Sequence, residues 1–292
     1  MNRIKGILYA AVSSSTFGLA PFFSITLLLA GFSAFEVLSY RWGVASIVLI
    51  VFGWLSSCNF RLAGKDWGVV FLLSLLRAVT SFSLIIAYQN IASGVASTIH
   101  FMYPLAVALA MMFFFLEKKY ILVILAVLMS LLGAALLSLG ELEAKSGNTM
   151  VGLVAACVSV FSYAGYIVGV RTTRAVQINS TALTCYVMGL GTIFYLIGAY
   201  CTSGLQLVSD GYTWLIILGL ALPATAISNI TLVQAIKYAG PTLTSILGAM
   251  EPLTAVVIGV FVFKELFTVN SAVGIILILL AVSIVVFRRQ KS

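Results

Sequence analysis

Ten apolar runs follow one another through this chain, each near the twenty residues that an α-helix needs to cross a bilayer. They fall at about 4–26, 34–56, 67–89, 94–116, 119–139, 150–170, 181–203, 212–236, 242–264 and 269–287, here called spans 1 to 10. Nothing else restricts the fold as much, because backbone amides in hydrocarbon must be satisfied internally, which leaves helices and closed barrels. A barrel would alternate apolar and polar residues in segments of about ten, whereas these runs are continuous. Hydrophobic residues make up 62% of the 292 and charged residues 8%, a composition outside that of soluble domains. The expected fold class is an all-α membrane protein, with ten transmembrane helices in two inverted five-helix repeats.

The repeat is legible as an offset. Moved by 148 positions, Ser97, Met102, Pro104, Leu105, Phe113, Phe115 and Glu117 fall on Ser245, Met250, Pro252, Leu253, Phe261, Phe263 and Glu265. Moved by 146, Gly6, Ala10, Val12 and Ser13 fall on Gly152, Ala156, Val158 and Ser159. Two units of five helices are expected, 1–145 and 146–292. Because five is odd, the second unit enters the membrane from the side opposite the first.

Charge sets the orientation. With the N-terminus inside, the inner loops collect Arg3, Lys5, Arg61, Lys65, Lys118, Lys119, Arg171, Arg174, Lys237, Arg288, Arg289 and Lys291, and the outer loops only Lys145 and Lys264. By the positive-inside rule both termini are expected in the cytoplasm, and a bacterial inner membrane is the expected location. The net charge of +8 therefore reads as topology, with no basic stripe that would suit a nucleic acid. Arg3 and Lys5 before an apolar run resemble a signal peptide, but the run is long and has an internal repeat partner, so span 1 is expected to be retained. Cys58, Cys157, Cys185 and Cys201 have no paired spacing and read as small buried hydrophobes. With one histidine and no Cys-x-x-Cys, neither a metal site nor a cofactor is expected.

Chemistry is sought among polar groups inside the spans, where each is expensive. Glu251, beside Pro252, interrupts span 9. Proline lacks an amide proton and clashes with the carbonyl four residues back, so Gly248 is expected to leave its carbonyl free. By helix rise, Glu251 and Arg77 both lie about 14–15 Å from the inner end of their helices, deep enough to meet near the midplane. Arg41 lies about 10 Å from the outer end, within reach of Glu36. The candidate substrate-binding residues are Glu251, Arg77, Tyr103, His100, Arg41, Tyr88, Ser81, Tyr163, Asn229 and Thr244, with Pro104 and Pro252 as helix kinks. Polar stripes at helical spacing support them: Ser74, Arg77, Ser81 and Tyr88 on span 3; Ser159, Ser162, Tyr163 and Tyr166 on span 6; Tyr9, Ser13 and Thr16 on span 1; Thr225, Ser228 and Asn229 on span 8; Thr244, Gly248, Glu251, Ala255 and Gly259 on span 9. The bland reading of each stripe is helix packing through small residues, and that of Arg77 and Glu251 is a structural ion pair. Spans 5 and 10, nearly devoid of polar side chains, are expected to face lipid or a second subunit.

Two repeats with the endings Pro104-Leu105 to Glu117 and Glu251-Pro252-Leu253 to Phe263-Lys264-Glu265, together with Tyr40-Arg41-Trp42, resemble the drug/metabolite transporter superfamily, specifically its EamA-type members. The resemblance covers nearly the whole chain. It implies a central cavity built by spans 1–4 and 6–9, peripheral spans 5 and 10 that sometimes form a homodimer, and efflux of small organic solutes such as amino acids or drugs. Tyr103 stands where the second repeat has Glu251, so the two halves present different chemistry.

The expected function is a secondary transporter; no Gly-x-x-x-x-Gly-Lys-Ser/Thr loop is present, so ATP is not expected as the direct driver.

 It would move a small polar or zwitterionic metabolite by alternating access around a midplane cavity, with proton coupling through Glu251 as a further expectation. The alternatives are a channel or membrane scaffold and, further off, an intramembrane lipid-modifying enzyme. The enzyme would need a nucleophile with a base, or a metal, at one depth, and neither stands out, so no catalytic residue is assigned.

Overall fold

The computed structural model describes residues 2–115, 121–138, 147–202, 204–261 and 268–288. Glu117, Lys118, Lys119, Lys145, Phe263, Lys264, Glu265, Arg289 and Lys291 lie outside the described residues, as do the side chains of Ala255, Phe261 and Arg288 and the surroundings of Gly259. Among the described residues there is no strand. The helices are α1 (Asn2–Phe17), α2 (Ala20–Leu29), α3 (Ala34–Leu55), α4 (Trp67–Asn90), α5 (Ser93–His100), α6 (Tyr103–Phe113), α7 (Ile121–Ser138), α8 (Thr149–Thr172), α9 (Ser180–Thr202), α10 (Gly211–Ala221), α11 (Ser228–Ala239), α12 (Pro241–Leu247), α13 (Met250–Phe261) and α14 (Val269–Arg288). Seven helical stretches among the described residues are long and apolar enough to cross a membrane, and α7 and α14 contain shorter apolar helices. This is an all-α membrane protein.

Spans 2, 3, 5, 6, 7 and 10 correspond to single helices; spans 1, 4 and 9 are each divided in two, and span 8 stays helical throughout but passes through a π-helical turn. Every one of the four contains a proline, which cannot donate to the turn before it. Pro21 and Pro104 stand in the first turn of α2 and α6, and Pro252 in the first turn of α13. Pro223 lies in a π-helical turn, Leu222–Ile227, that joins α10 to α11. The Gly248 carbonyl, expected to be free, instead accepts the Glu251 amide at 2.9 Å. The chain turns there, and that turn takes up the carbonyl. Between α11 and α12 the connection is a single residue, Gly240, at φ 86° and ψ 163°, a region essentially confined to glycine.

The helices pair in a pattern that survives exchange of the two halves. The most extensive packing joins α4 to α8, α1 to α11, α3 to α9 and α7 to α14. In span numbers these are 3 with 6, 8 with 1, 2 with 7 and 5 with 10. Exchanging each span with its counterpart five places on turns the first pair into the second and leaves the other two unchanged. Small hydroxyls stitch the exchanged pair: the Thr80 hydroxyl donates to Ser162 Oγ at 2.9 Å, and the Ser13 hydroxyl to the Ser228 carbonyl at 2.8 Å.

The polar connections sort to two ends. At one end Arg174 pairs with Asp66 at 2.9 Å, and Arg171 donates to the Lys237 carbonyl at 3.0 Å. At the other, Ser33 and Glu36 close a capping box on α3, and Glu36 Oε1 also accepts the Gln206 amide at 2.6 Å. The outward faces of α7 and α14 are apolar, with Ile121, Leu132, Ile276 and Leu279 exposed. Of the four free cysteines only Cys185 is buried, while Cys157 and Cys201 are exposed. The expectation of four buried thiols is corrected accordingly: in a membrane protein an apolar position can face outward as well as inward.

Candidate functional site

The middle of α4 supplies the first component. Arg77 is 1% exposed, and its Nε donates to Asn229 Oδ1 at 3.0 Å and its Nη1 to Ser81 Oγ at 3.3 Å. Asn229 is held in turn by its own amide, which donates to the Thr225 carbonyl at 2.8 Å. The guanidinium carbon lies 4.9 Å from the centre of the Tyr163 ring, 5.4 Å from Phe17 and 5.9 Å from Tyr166, distances at which ring faces attract cations.

Arg41 on α3 is 4% exposed and sits 5.5 Å from the same Phe17 ring. Its Nε donates to Thr225 Oγ1 at 2.7 Å. Thr225 belongs to the π-helical turn, and its hydroxyl reaches the Leu220 carbonyl five residues back, at 2.7 Å. A π turn shifts the residues after it around the helix axis, and here it precedes Asn229, the partner of Arg77. Proline, π turn, Thr225 and Asn229 thus form one local unit that serves both arginines.

A row of rings leads from Arg77 to the carboxylate. Tyr163 lies 4.6 Å from Tyr103 and 5.4 Å from His100, centre to centre. The Tyr103 hydroxyl donates to Glu251 Oε1 at 3.4 Å. These two residues are counterparts in the repeat, 148 positions apart, and they meet where α6 packs on the second half. His100 Nδ1 is 2.8 Å from Ser159 Oγ, while its Nε2 is buried with no partner among the described residues. Arg41 Nη2, the Tyr166 hydroxyl and the Thr244 hydroxyl are buried in the same condition.

The structure brings together Arg77, Arg41, Ser81, Asn229, Tyr163, Tyr103, His100 and Glu251. Tyr88 is buried nearby on α4 with its hydroxyl 3.3 Å from Ser97 Oγ. Thr244 is buried on α12, with no hydrogen bond to this cluster among the described residues. Two pairings that the sequence left open are not formed among the described residues. Arg77 and Glu251 form no ion pair: neutral Asn229 and Ser81 take the guanidinium donors, and a tyrosine takes the carboxylate. Arg41 does not reach Glu36, whose two oxygens are spent on the Ser33 and Gln206 amides. Ser74, Tyr9, Ser13 and Ser228 belong to helix packing; Ser74 bonds the Val187 carbonyl, and Tyr9 stacks on Tyr238 at 6.0 Å.

Phe17, Thr225 and Tyr166 are central although not among the candidates. All three stood on stripes or in apolar runs already noted, and a ring shared by two arginines was the missing signal. A narrow cleft with room for roughly one water is lined by Phe17, Ser24, Arg41, Arg77, Ser81 and Tyr88.

A polytopic helical bundle whose two halves pair in matching fashion around a charged, aromatic interior defines the class as an integral membrane protein. The EamA-like transporter family profile matches twice, over residues 4–139 and 150–287, and the chain belongs to that family, within the drug/metabolite transporter superfamily. One solved crystal structure, described only as that of a protein, superposes with a TM-score of 0.80 at 18% identity, covering 100% of this chain and 99% of its own. At that identity the likeness speaks to the fold alone. No curated protein matches.

Proposed function

We propose that this protein is a secondary transporter that exports a small polar or zwitterionic metabolite, such as an amino acid, by alternating access between the two halves. The observation that carries the reading is a polar cluster drawn from both halves beside broken helices: Arg41 and Arg77 line one narrow cleft, and from Arg77 the contacts run through the Tyr163 and Tyr103 rings to Glu251. Carriers place substrate at such repeat interfaces, where discontinuous helices and unwound backbone supply polar groups. A guanidinium suits an anionic group through paired donors, and Glu251 suits an ammonium or a proton. The narrow cleft fits a state closed to both sides. We place the protein in a bacterial inner membrane with both termini in the cytoplasm, on the inner-loop excess of lysine and arginine, and we expect the outward faces of α7 and α14 to meet lipid or a second copy.

The test is counterflow in liposomes with purified wild type and Glu251→Gln. Saturable exchange by the wild type, lost in the variant at equal insertion, is the expected result. Normal exchange by Glu251→Gln would remove the carboxylate from the mechanism. Exchange unchanged by a collapsed pH gradient would remove proton coupling, and conductance without saturation would make the protein a channel.

A further inference from the structure

We propose that the cargo is a net anion: a small organic carboxylate whose charged group sits between Arg41 and Arg77 and whose apolar body lies against Phe17 and Tyr88. The inference rests on the carrier reading above and, among the small polar solutes proposed there, selects an anion over a zwitterion. A guanidinium has five donors and no acceptor. Arg41 spends Nε on Thr225 and leaves Nη2 buried without a partner among the described residues. Arg77 directs Nε to the Asn229 amide oxygen and Nη1 to the Ser81 hydroxyl. Every acceptor these two cations have is neutral, and among the described residues no carboxylate lies within 4.0 Å of either.

The two guanidiniums at the cleft therefore stand with neutral partners alone, while the carboxylate of the cluster, Glu251, is engaged by the Tyr103 hydroxyl and that of Glu36 by the Ser33 and Gln206 amides. Buried charge without a counterion is strongly unfavourable. A zwitterion would add one charge of each sign and leave the excess in place, and a cation would increase it. A carboxylate cancels it and gives the free Nη2 an acceptor with the geometry that guanidinium matches best. Both arginines line the cleft, and so do Phe17 and Tyr88, so the apolar part of the same molecule has rings to lie on.

The probes are benzoate, neutral benzamide, benzylamine and phenylalanine, each added at matched concentration to the purified full-length protein while its thermal unfolding is followed. A ligand that binds only the folded state raises apparent stability by mass action. Benzoate is expected to stabilise, benzamide and benzylamine to leave unfolding unchanged, and phenylalanine to act more weakly than benzoate. Arg41→Gln should weaken the benzoate response at least tenfold. Arg41→Lys, which keeps the charge and loses the paired donors, should keep a reduced response, and it serves if the glutamine variant does not fold. A benzoate response equal to that of benzamide, one unchanged in Arg41→Gln, or none at all in folded protein would each overturn the anion assignment. Saturable counterflow of phenylalanine or benzylamine with carboxylates inert would overturn it too, while leaving the carrier standing. Only non-saturating conductance would bring down the carrier reading itself.

Discussion

Replacing Gly248 by alanine tests whether the meeting of Tyr103 with Glu251 is as tight as the structure describes. Gly248 has ordinary helical angles, φ −54° and ψ −21°, so alanine meets no backbone strain and gains in helix propensity by up to about 1 kcal/mol. Sterics act the other way. A Cβ at this position would lie 1.7 Å from the Tyr103 hydroxyl oxygen, 2.9 Å from Cζ and 2.8 Å from the Ser245 carbonyl. Tyr103 is 2% exposed, with no open side to move into, so the ring must tilt. Tilting lengthens the 3.4 Å contact with Glu251 and disturbs the Tyr163 edge contact at 4.6 Å. Overpacking of this kind costs about 1–3 kcal/mol, and the lost ring geometry about 0.5–1.5 kcal/mol more. Even after the propensity gain, a net loss of about 1–3 kcal/mol is expected. Tryptophan fluorescence during thermal unfolding in detergent would read it as a lowered midpoint. The decisive comparison is the double variant with Tyr103→Phe, which removes the atom at 1.7 Å. It should recover about 1 kcal/mol in a double-mutant cycle, though not everything, because Cζ and the Ser245 carbonyl remain close. A Gly248→Ala protein as stable as wild type, or additive effects in the cycle, would refute the reasoning.

Three further outcomes follow from other contacts. Asn229→Leu removes the acceptor of Arg77 Nε at a fully buried position and should lower stability by about 1.5–3 kcal/mol, measured by the same unfolding assay. Arg174→Ala breaks an ion pair whose arginine is 53% exposed, and its effect on stability should stay below about 1 kcal/mol and vanish in high salt. The Asp210 carboxylate caps α10 by accepting the Thr213 amide at 2.7 Å, which holds its pKa below the ordinary aspartate value. A depressed folded pKa contributes stability that is present above the unfolded value and lost as pH falls through the folded one. Asp210→Asn, which keeps an acceptor without the charge, should therefore show less sensitivity of α10 amide exchange to acid.

The positions of the helices were readable because the membrane leaves hydropathy little freedom, and the repeat was readable because two offsets align side chains at once. The broken helices were less so. Pro104 and Pro252 were read as kinks, whereas each stands at the start of a separate helix, and whether a proline bends or divides a span depends on what takes up the neighbouring carbonyl. The Glu251 amide does so at Gly248, a contact that composition cannot announce. The site shows the same division. Arg77, Arg41, Tyr163 and Glu251 stood out because polar groups are rare in apolar runs, but their partners did not. Depth along a helix placed Arg77 and Glu251 at one level and said nothing of rotation about the axis, which decides that Arg77 meets Asn229 and Glu251 meets Tyr103. The π turn after Pro223 is the sharpest case, since it sets how Thr225 and Asn229 face α3 and α4. A straight helix of the same sequence would present them differently, and an arginine pair with only neutral partners, the feature that points to an anionic cargo, exists only once that turn is in place.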